Sequence, residues 1–237
     1  MHFVVTGCAR SGTLFMAEAL RALGHACGHE ELFTPDTTAV PDFGDAQGDV
    51  SWLAAPFLND LPDGTLVLHQ VRDPLATIRS IVGVRMFQTK PHPLMQLRYR
   101  LQYHHIRFAR PITNARFIRF AATHCPGIFD LPDETSRAAA YWVRWNRMIE
   151  KAASDRDLGY ERYRVEDLDD ARLAQLDRRL GGTATTDDVA RIRGELGTST
   201  HRARQVDHVR YDDVKDGPTR EQLRELGLDY GYRDNGN

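Results

Sequence analysis

The first 24 residues contain an apolar run, a glycine-bounded loop and a helical pattern in direct succession. Residues 2–6, HFVVT, are mainly β-branched and aromatic, as expected of a buried parallel strand. Residues 13–23 then place apolar side chains at helical spacing, and Gly24 is suited to follow the end of a helix. A strand that passes through a short loop directly into a helix predicts an α/β protein.

The same order of elements begins again at residue 65. Residues 65–71, TLVLHQV, form a second apolar run, and a helical pattern starts at Leu75 after an Arg-Asp-Pro turn. Two such units predict a central parallel β-sheet flanked by helices, in three layers.

The length of 237 residues suffices for one substantial core, and we predict a single domain over residues 1–237. The remaining predicted elements are helices at 94–110 and 136–152, a strand at 159–168 whose acidic end caps the next helix, an exposed helix and loop within 181–217, a last helix at 219–226 ending at Gly227, and a frayed tail at 234–237.

Neither a membrane span nor a metal site is predicted. The apolar runs are far shorter than the roughly 20 residues of a spanning helix, and the first strand begins without a basic or cleavable leader, so we expect a cytoplasmic location. The three cysteines, Cys8, Cys27 and Cys125, lack CxxC or metal-ligand spacing. We therefore predict no metal ligands, and interpret Cys8 as a small residue packed in a turn.

Charge is segregated along the chain although the net charge is only -2. Residues 74–129 contain no Asp or Glu. Their basic residues are Arg79, Arg85, Lys90, Arg98, Arg100, Arg107, Arg110, Arg116 and Arg119. This stretch predicts a face for an anionic ligand, or else solvated helix faces balanced by acidic neighbours. Nucleic acid is not favoured, because no nucleic-acid-binding motif accompanies the charge.

The loop at residues 7–13, GCARSGT, lies where backbone N–H groups and a helix dipole can converge on an anion. Gly7 and Gly12 fit the Walker A pattern, but Thr13 stands where its lysine belongs and Leu14 where its magnesium-binding hydroxyl belongs. The loop therefore predicts an anion site that needs no metal. An ordinary glycine turn is the alternative.

The polar residues that remain are Arg10, Ser11 and Thr13, beside Gly12. A strand followed by RSGT resembles the 5′-phosphosulfate loop of sulfotransferases that use 3′-phosphoadenosine 5′-phosphosulfate (PAPS). The resemblance implies the P-loop-containing nucleoside triphosphate hydrolase-like fold of that family. It also implies that these four residues bind the 5′ end of PAPS and that Arg10 stabilises the leaving phosphate.

A second motif, LHQVRDPLATIRS, resembles the 3′-phosphate segment of the same family, in which an arginine at a strand end and a serine eight residues later bind that phosphate. Arg72 and Ser80 have this spacing, and an arginine fork with a hydroxyl donor suits a dianion. A salt bridge from Arg72 to an acidic neighbour is the alternative.

Two weaker likenesses, YRVEDL at 163–168 and DYGY at 229–232, are interpreted as structural. The family's C-terminal basic-glycine loop is not clearly present. The segment 201–204, HRAR, is its candidate counterpart, with Arg202 as the third 3′-phosphate ligand.

The resemblance implies a general base about twenty residues beyond the loop arginine, where Glu30 and Glu31 stand. Neighbouring residues of an extended segment face opposite sides. We favour Glu30, with Glu31 and His29 as the other candidates, and a polar loop without catalytic function as the alternative.

Three further side chains could reach an acceptor, namely Trp52, Trp142 and Asn146. Core packing is the favoured interpretation of the tryptophans. The predicted activity is sulfuryl transfer from PAPS to a hydroxyl or amine of a small-molecule or glycan acceptor, which the basic stretch allows to be anionic. A P-loop-type kinase for a nucleotide or small molecule, and a module that only binds an adenine nucleotide, are the rival hypotheses.

Overall fold

The computed structural model describes residues 1–88, 113–156, 158–196 and 208–233. These residues contain a five-stranded sheet in which every pairing is parallel. The strands are β1 (Phe3–Gly7), β2 (Cys27–His29), β3 (Gly48–Val50), β4 (Leu66–Val71) and β5 (Gly159–Arg164), in the order β2-β3-β1-β4-β5.

Helices connect and flank the strands. The α-helices are α1 (Thr13–Ala22), α2 (Pro74–Gly83), α3 (Thr113–His124), α4 (Glu134–Asp155), α5 (Asp170–Arg179), α6 (Thr186–Leu196) and α7 (Gly217–Asp229), and 3₁₀ turns occupy Trp52–Asp60, Ile128–Asp130, Val165–Asp167 and Tyr211–Asp213. Four of the α-helices begin at an aspartate whose side chain accepts a hydrogen bond from a first-turn N–H. The four caps are Asp73, Asp133, Asp169 and Asp216.

The two faces of the sheet carry separate apolar cores because successive strand residues point to opposite sides. Phe3 and Val5 of β1 belong to a core formed with α1, α5 and α6. Val4 belongs to the core formed with α2, α3, α4 and α7. The predicted α/β class with a central parallel sheet flanked by helices is therefore confirmed.

The structure corrects two predicted boundaries in the second half of the chain. The last helix does not end at Gly227 but continues to Asp229. A Cβ on Gly227 would lie 3.3 Å from the Tyr211 hydroxyl, so this glycine allows close packing of the helix. The positive φ that follows the helix belongs to Gly231.

The predicted strand at 159–168 is also too long, since β5 ends at Arg164. Its acidic end does not cap the next helix, because Asp169 does. The carboxylate of Glu166 instead accepts hydrogen bonds from the Asp73 N–H, at 2.9 Å, and from the Tyr232 hydroxyl, at 2.8 Å. These two bonds connect the YRVEDL and DYGY segments with each other and with the start of α2.

The predicted helix at 136–152 is confirmed within α4, and the helix predicted within 181–217 is confirmed as α6. The predicted helix at 94–110 and the tail at 234–237 lie outside the described residues. No helix in the described part of the chain is long and apolar enough to cross a membrane.

The strand order creates a crevice between β1 and β4. After β1 the chain moves to β2 on one side of the sheet, whereas after β4 it moves to β5 on the other. In open α/β sheets, ligands bind outside the carboxyl ends of strands at such a reversal of direction. The loop after β1 and residue Arg72 after β4 both lie at this position.

Candidate functional site

The loop between β1 and α1 has a conformation that constrains its residues closely. Arg10 has φ 72° and Gly12 has φ 95°, so two of its residues lie in the left-handed region. A Cβ on Gly7 would overlap the carbonyl oxygen of Gln70 on β4, so only glycine fits where β1 ends. The loop is therefore held close to β4.

Three side chains fix the loop backbone from outside. The Ala9 N–H donates to the Tyr141 hydroxyl at 3.0 Å. Arg72 Nη1 donates to the Arg10 carbonyl at 2.9 Å, and Gln70 Nε2 donates to the Ser11 carbonyl at 2.6 Å. Two consecutive carbonyl groups are thus drawn toward β4. Sequence reasoning missed Gln70, although a glutamine within an apolar strand is an unusual residue.

Arg10, Arg72 and Ser80, predicted from two separate motifs, meet at this crevice. Arg10 Nε donates to Ser80 Oγ at 3.0 Å, and burial together with the nearby Arg72 charge lowers the Arg10 pKa. Neither guanidinium forms an ion pair with a described residue, so the alternative of a strand-end salt bridge for Arg72 is not observed there. Two adjacent cations without a carboxylate favour an anionic ligand.

Polar groups of the loop are also left without protein partners. The hydroxyl of Ser11, a residue only 1% exposed, has no hydrogen-bond partner among the described residues. The backbone N–H groups of Gly12 and Thr13 likewise make no hydrogen bond within the described part of the chain. A buried donor without a partner is costly, and N–H groups at a helix N-terminus can bind an anion. These groups are therefore suited to an external acceptor such as a phosphate.

Glu30 and Glu31, the two candidate bases, have different surroundings. Glu30 has a side chain that is 21% exposed, and its backbone is left-handed at φ 57°. Burial, followed by the nearby Asp49 charge, raises the pKa of Glu30 to about 7, while a hydrogen bond from the Trp52 side chain opposes the rise. Glu31 is 68% exposed and pairs with Arg21 at 2.8 Å.

Asp49 shapes the turn that carries these glutamates. This fully buried residue of β3 accepts hydrogen bonds from the N–H groups of Phe33, at 3.1 Å, and Glu31, at 3.4 Å. Burial raises its pKa. Sequence reasoning missed Asp49, whose signal was an acid within a short run otherwise suited to a strand.

His29, the third candidate, links the loop to Glu30. Its Nε2 lies 3.3 Å from Thr13 Oγ1 and 3.9 Å from Glu30 Oε1. The three side chains therefore form a continuous path from the N-terminus of α1 to the candidate base.

The candidate acceptor contacts belong mainly to the core. Trp142 and Asn146 are buried, and Asn146 bonds with His69 at 2.9 Å and the Trp142 carbonyl at 2.9 Å. Trp52 is also buried, but unlike the other two its side chain hydrogen-bonds with the candidate base Glu30. The Cys8 thiol is buried and packed, and burial raises its pKa.

Several predicted residues cannot be assigned to the site. Arg202, with the HRAR segment, lies outside the described residues, as does the central part of the basic stretch from Lys90 to Arg110. Of its remaining members, Arg116 pairs with Asp36. The described residues contain no group of three or more His, Cys, Asp or Glu side chains that could hold a metal ion.

Comparison with known proteins adds no assignment. No protein-family description matches the sequence, and no curated protein matches it significantly. The function must therefore be inferred from the residues of the site.

Proposed function

We propose that this protein is a sulfotransferase that moves a sulfuryl group from PAPS to a hydroxyl or amine acceptor. The observation that carries the proposal is the meeting of Arg10, Arg72 and Ser80 at the carboxyl edge of the sheet. Arg10 belongs to the loop, and the other two residues belong to the second motif. One ligand with anionic groups at both ends could therefore bind to all three side chains.

The donor groups fit PAPS at both of its ends. The Ser11 hydroxyl and the Gly12 and Thr13 N–H groups, which have no partner among the described residues, suit the 5′-phosphosulfate. Arg72 and Ser80 suit the 3′-phosphate, which ordinary adenine nucleotides lack. The proposal includes a P-loop-like sulfotransferase fold, which agrees with the strand, loop and helix order of β1 and α1.

Glu30 is the proposed general base. Bound PAPS supplies the sulfuryl group and a bisphosphate leaving group. As the acceptor oxygen or nitrogen bonds to sulfur and the bond from sulfur to the phosphate oxygen breaks, Glu30 takes the acceptor proton. A carboxyl whose pKa is about 7 is suited to this task near neutral pH.

Arg10 and the loop N–H groups are proposed to stabilise the charge that develops on the leaving phosphate oxygen. Glu31 is a weaker candidate for the base because its carboxylate is exposed and paired with Arg21. His29, between Thr13 and Glu30, is proposed to orient the base.

Calorimetric titration tests the proposal without knowledge of the acceptor. We expect adenosine 3′,5′-bisphosphate to bind wild type and to bind Arg72→Ala at least tenfold more weakly, since a hydrogen bond to a charged group contributes about 1.5–3 kcal/mol. Arg79→Ala is the matched control, because Arg79 is an exposed arginine of the same segment.

ATP with magnesium is the competing ligand. A preference of wild type for ATP with magnesium over the bisphosphate would favour the kinase hypothesis instead. Equal losses in Arg72→Ala and Arg79→Ala would show that general positive charge, and not the crevice, attracts the nucleotide.

A further inference from the structure

Two buried side chains in neighbouring strands hold the backbone of the loop between β1 and α1. Gln70 of β4 and Tyr163 of β5 are direct partners in the sheet register. The Tyr163 hydroxyl bonds to Gln70 Oε1 at 2.6 Å, and Gln70 Nε2 bonds to the Ser11 carbonyl at 2.6 Å. We call these two consecutive hydrogen bonds, from Tyr163 to Gln70 and from Gln70 to Ser11, the relay. Both residues are almost fully buried, so the relay is shielded from water.

The polarity of this relay has only one arrangement. The Ser11 carbonyl can only accept, so the amide nitrogen of Gln70 must face it. The amide oxygen of Gln70 then faces Tyr163, whose hydroxyl donates. Tyr163 therefore fixes the orientation of the amide, and a rotated amide would direct an oxygen against the Ser11 carbonyl.

The fixed carbonyl determines where the next N–H points. Across a planar trans peptide, the Ser11 carbonyl and the Gly12 N–H point in opposite directions. The Ser11 carbonyl faces Gln70 of β4, so the Gly12 N–H points away from β4. It makes no hydrogen bond within the described part of the chain. Gln70 Nε2 also lies 3.3 Å from the position of a Cβ on Gly12.

Packing alone does not account for a glutamine here. Leu66 and Leu68, which precede Gln70 on the same face of β4, belong to the apolar core of that face. A buried amide is costly unless its hydrogen bonds are made, and a leucine at residue 70 would continue the core. The amide is explained by the backbone group that it holds.

We propose that Gln70, held by Tyr163, is a positioning residue that aims the Gly12 N–H at the 5′-phosphate group of the bound nucleotide. The inference rests on the proposed function, because that function supplies the ligand. Its specific consequence is that loss of the relay weakens recognition of the 5′-phosphate and leaves recognition of the 3′-phosphate unchanged.

Two ligands separate these effects. Adenosine 3′,5′-bisphosphate and adenosine 3′-monophosphate differ only in the 5′-phosphate, so its contribution is measured by the dissociation constant of the monophosphate divided by that of the bisphosphate. We expect Gln70→Leu to reduce this ratio about tenfold, since one hydrogen bond to a charged group corresponds to roughly that factor. Tyr163→Phe removes a single hydroxyl and should reduce the ratio several-fold.

Tyr160→Phe is the matched control. The Tyr160 hydroxyl makes an equivalent bond across the same two strands, to His69 Nδ1 at 2.8 Å, but on the opposite face of the sheet. Its ratio should equal that of wild type. If the variants at 70 and 163 weaken both ligands equally, or if Tyr160→Phe lowers the ratio as much, the role is structural and the inference is wrong.

Inorganic pyrophosphate separates failure of the inference from failure of the proposed function. If wild type binds neither nucleotide, the proposed function fails. In that case, pyrophosphate binding that is weaker in Tyr163→Phe than in Tyr160→Phe would still support the positioning role. If wild type does not bind pyrophosphate either, or if the two variants bind it with equal affinity, the positioning role is overturned.

Discussion

Replacement of Glu30 by glutamine should stabilise the protein at alkaline pH. Burial and the Asp49 charge raise the Glu30 pKa from an ordinary 4.5 to about 7 in the folded protein. Below pH 4.5 the carboxyl is protonated in both the folded and the unfolded states, so its burial as a neutral group has no pH-dependent cost. Between pH 4.5 and about 7 the unfolded chain ionises this carboxyl while the folded protein keeps it protonated, so the free energy of unfolding falls over this interval and stays lower at higher pH.

The magnitude follows from the size of the pKa difference. Each unit of pKa corresponds to about 1.4 kcal/mol, so Glu30→Gln should exceed wild type by up to ~3 kcal/mol in its free energy of unfolding at pH 8.5. For a chain of this length, that is an increase in melting temperature of roughly 6–12 °C. At pH 4.5 the two proteins should differ little.

Urea denaturation followed by tryptophan fluorescence at pH 4.5, 6.5 and 8.5 measures this difference. Glu31→Gln is the control, because its exposed carboxylate pairs with Arg21 and its replacement should change stability by less than about 1 kcal/mol. A difference between Glu30→Gln and wild type that is constant with pH would refute the reasoning. The carboxyl would then not be held in the surroundings that make it a suitable base.

Three further changes test the structure of the site and of the core behind it. Glu30→Gly should be more stable than Glu30→Ala by ~1 kcal/mol in urea denaturation, because φ is 57° there. Gly7→Ala should lose more than about 3 kcal/mol, since its Cβ would overlap the Gln70 carbonyl, whereas Gly217→Ala, with open space around it, should change the melting temperature little. The buried His69 has its pKa lowered to about 4 by desolvation, so wild type should lose up to ~3 kcal/mol relative to His69→Gln as pH falls from 6.5 to 4.

The sequence predicted those parts of the fold that local patterns determine. The segments that form β1 and β4 are apolar, and the segments that follow them have apolar residues at helical spacing. It did not predict β2 and β3, which have three residues each and contain glycine, histidine or aspartate. These short strands have pairing partners in the sheet, since β3 pairs with β1 and β2 pairs with β3. The strand order follows from tertiary contacts that a local pattern does not contain.

The choice between neighbouring residues also required the fold. Glu30 and Glu31 have the same chemistry, and only the positions of Asp49 and Arg21 distinguish them. Gly227 shows the converse, because a glycine near a helix end suggested termination while its lack of a side chain serves packing against Tyr211. Residue type and spacing predicted which side chains are candidates, but their surroundings could not be predicted without the fold.

The costs to stability at this site are concentrated on residues to which the proposed function assigns a role. Among the described residues, three that are not glycine have a positive φ, and two of these are Arg10 and Glu30. Ser11 adds a buried hydroxyl that has no partner in the described part of the chain, and Arg72 adds a second cation next to the first. Each feature costs folding energy that a different side chain would recover. A bound bisphosphate would compensate the costs at Arg10, Ser11 and Arg72, whereas the cost at Glu30 belongs to the proposed base. Variants that gain stability here should therefore lose binding or catalysis, which a purely structural loop would not require.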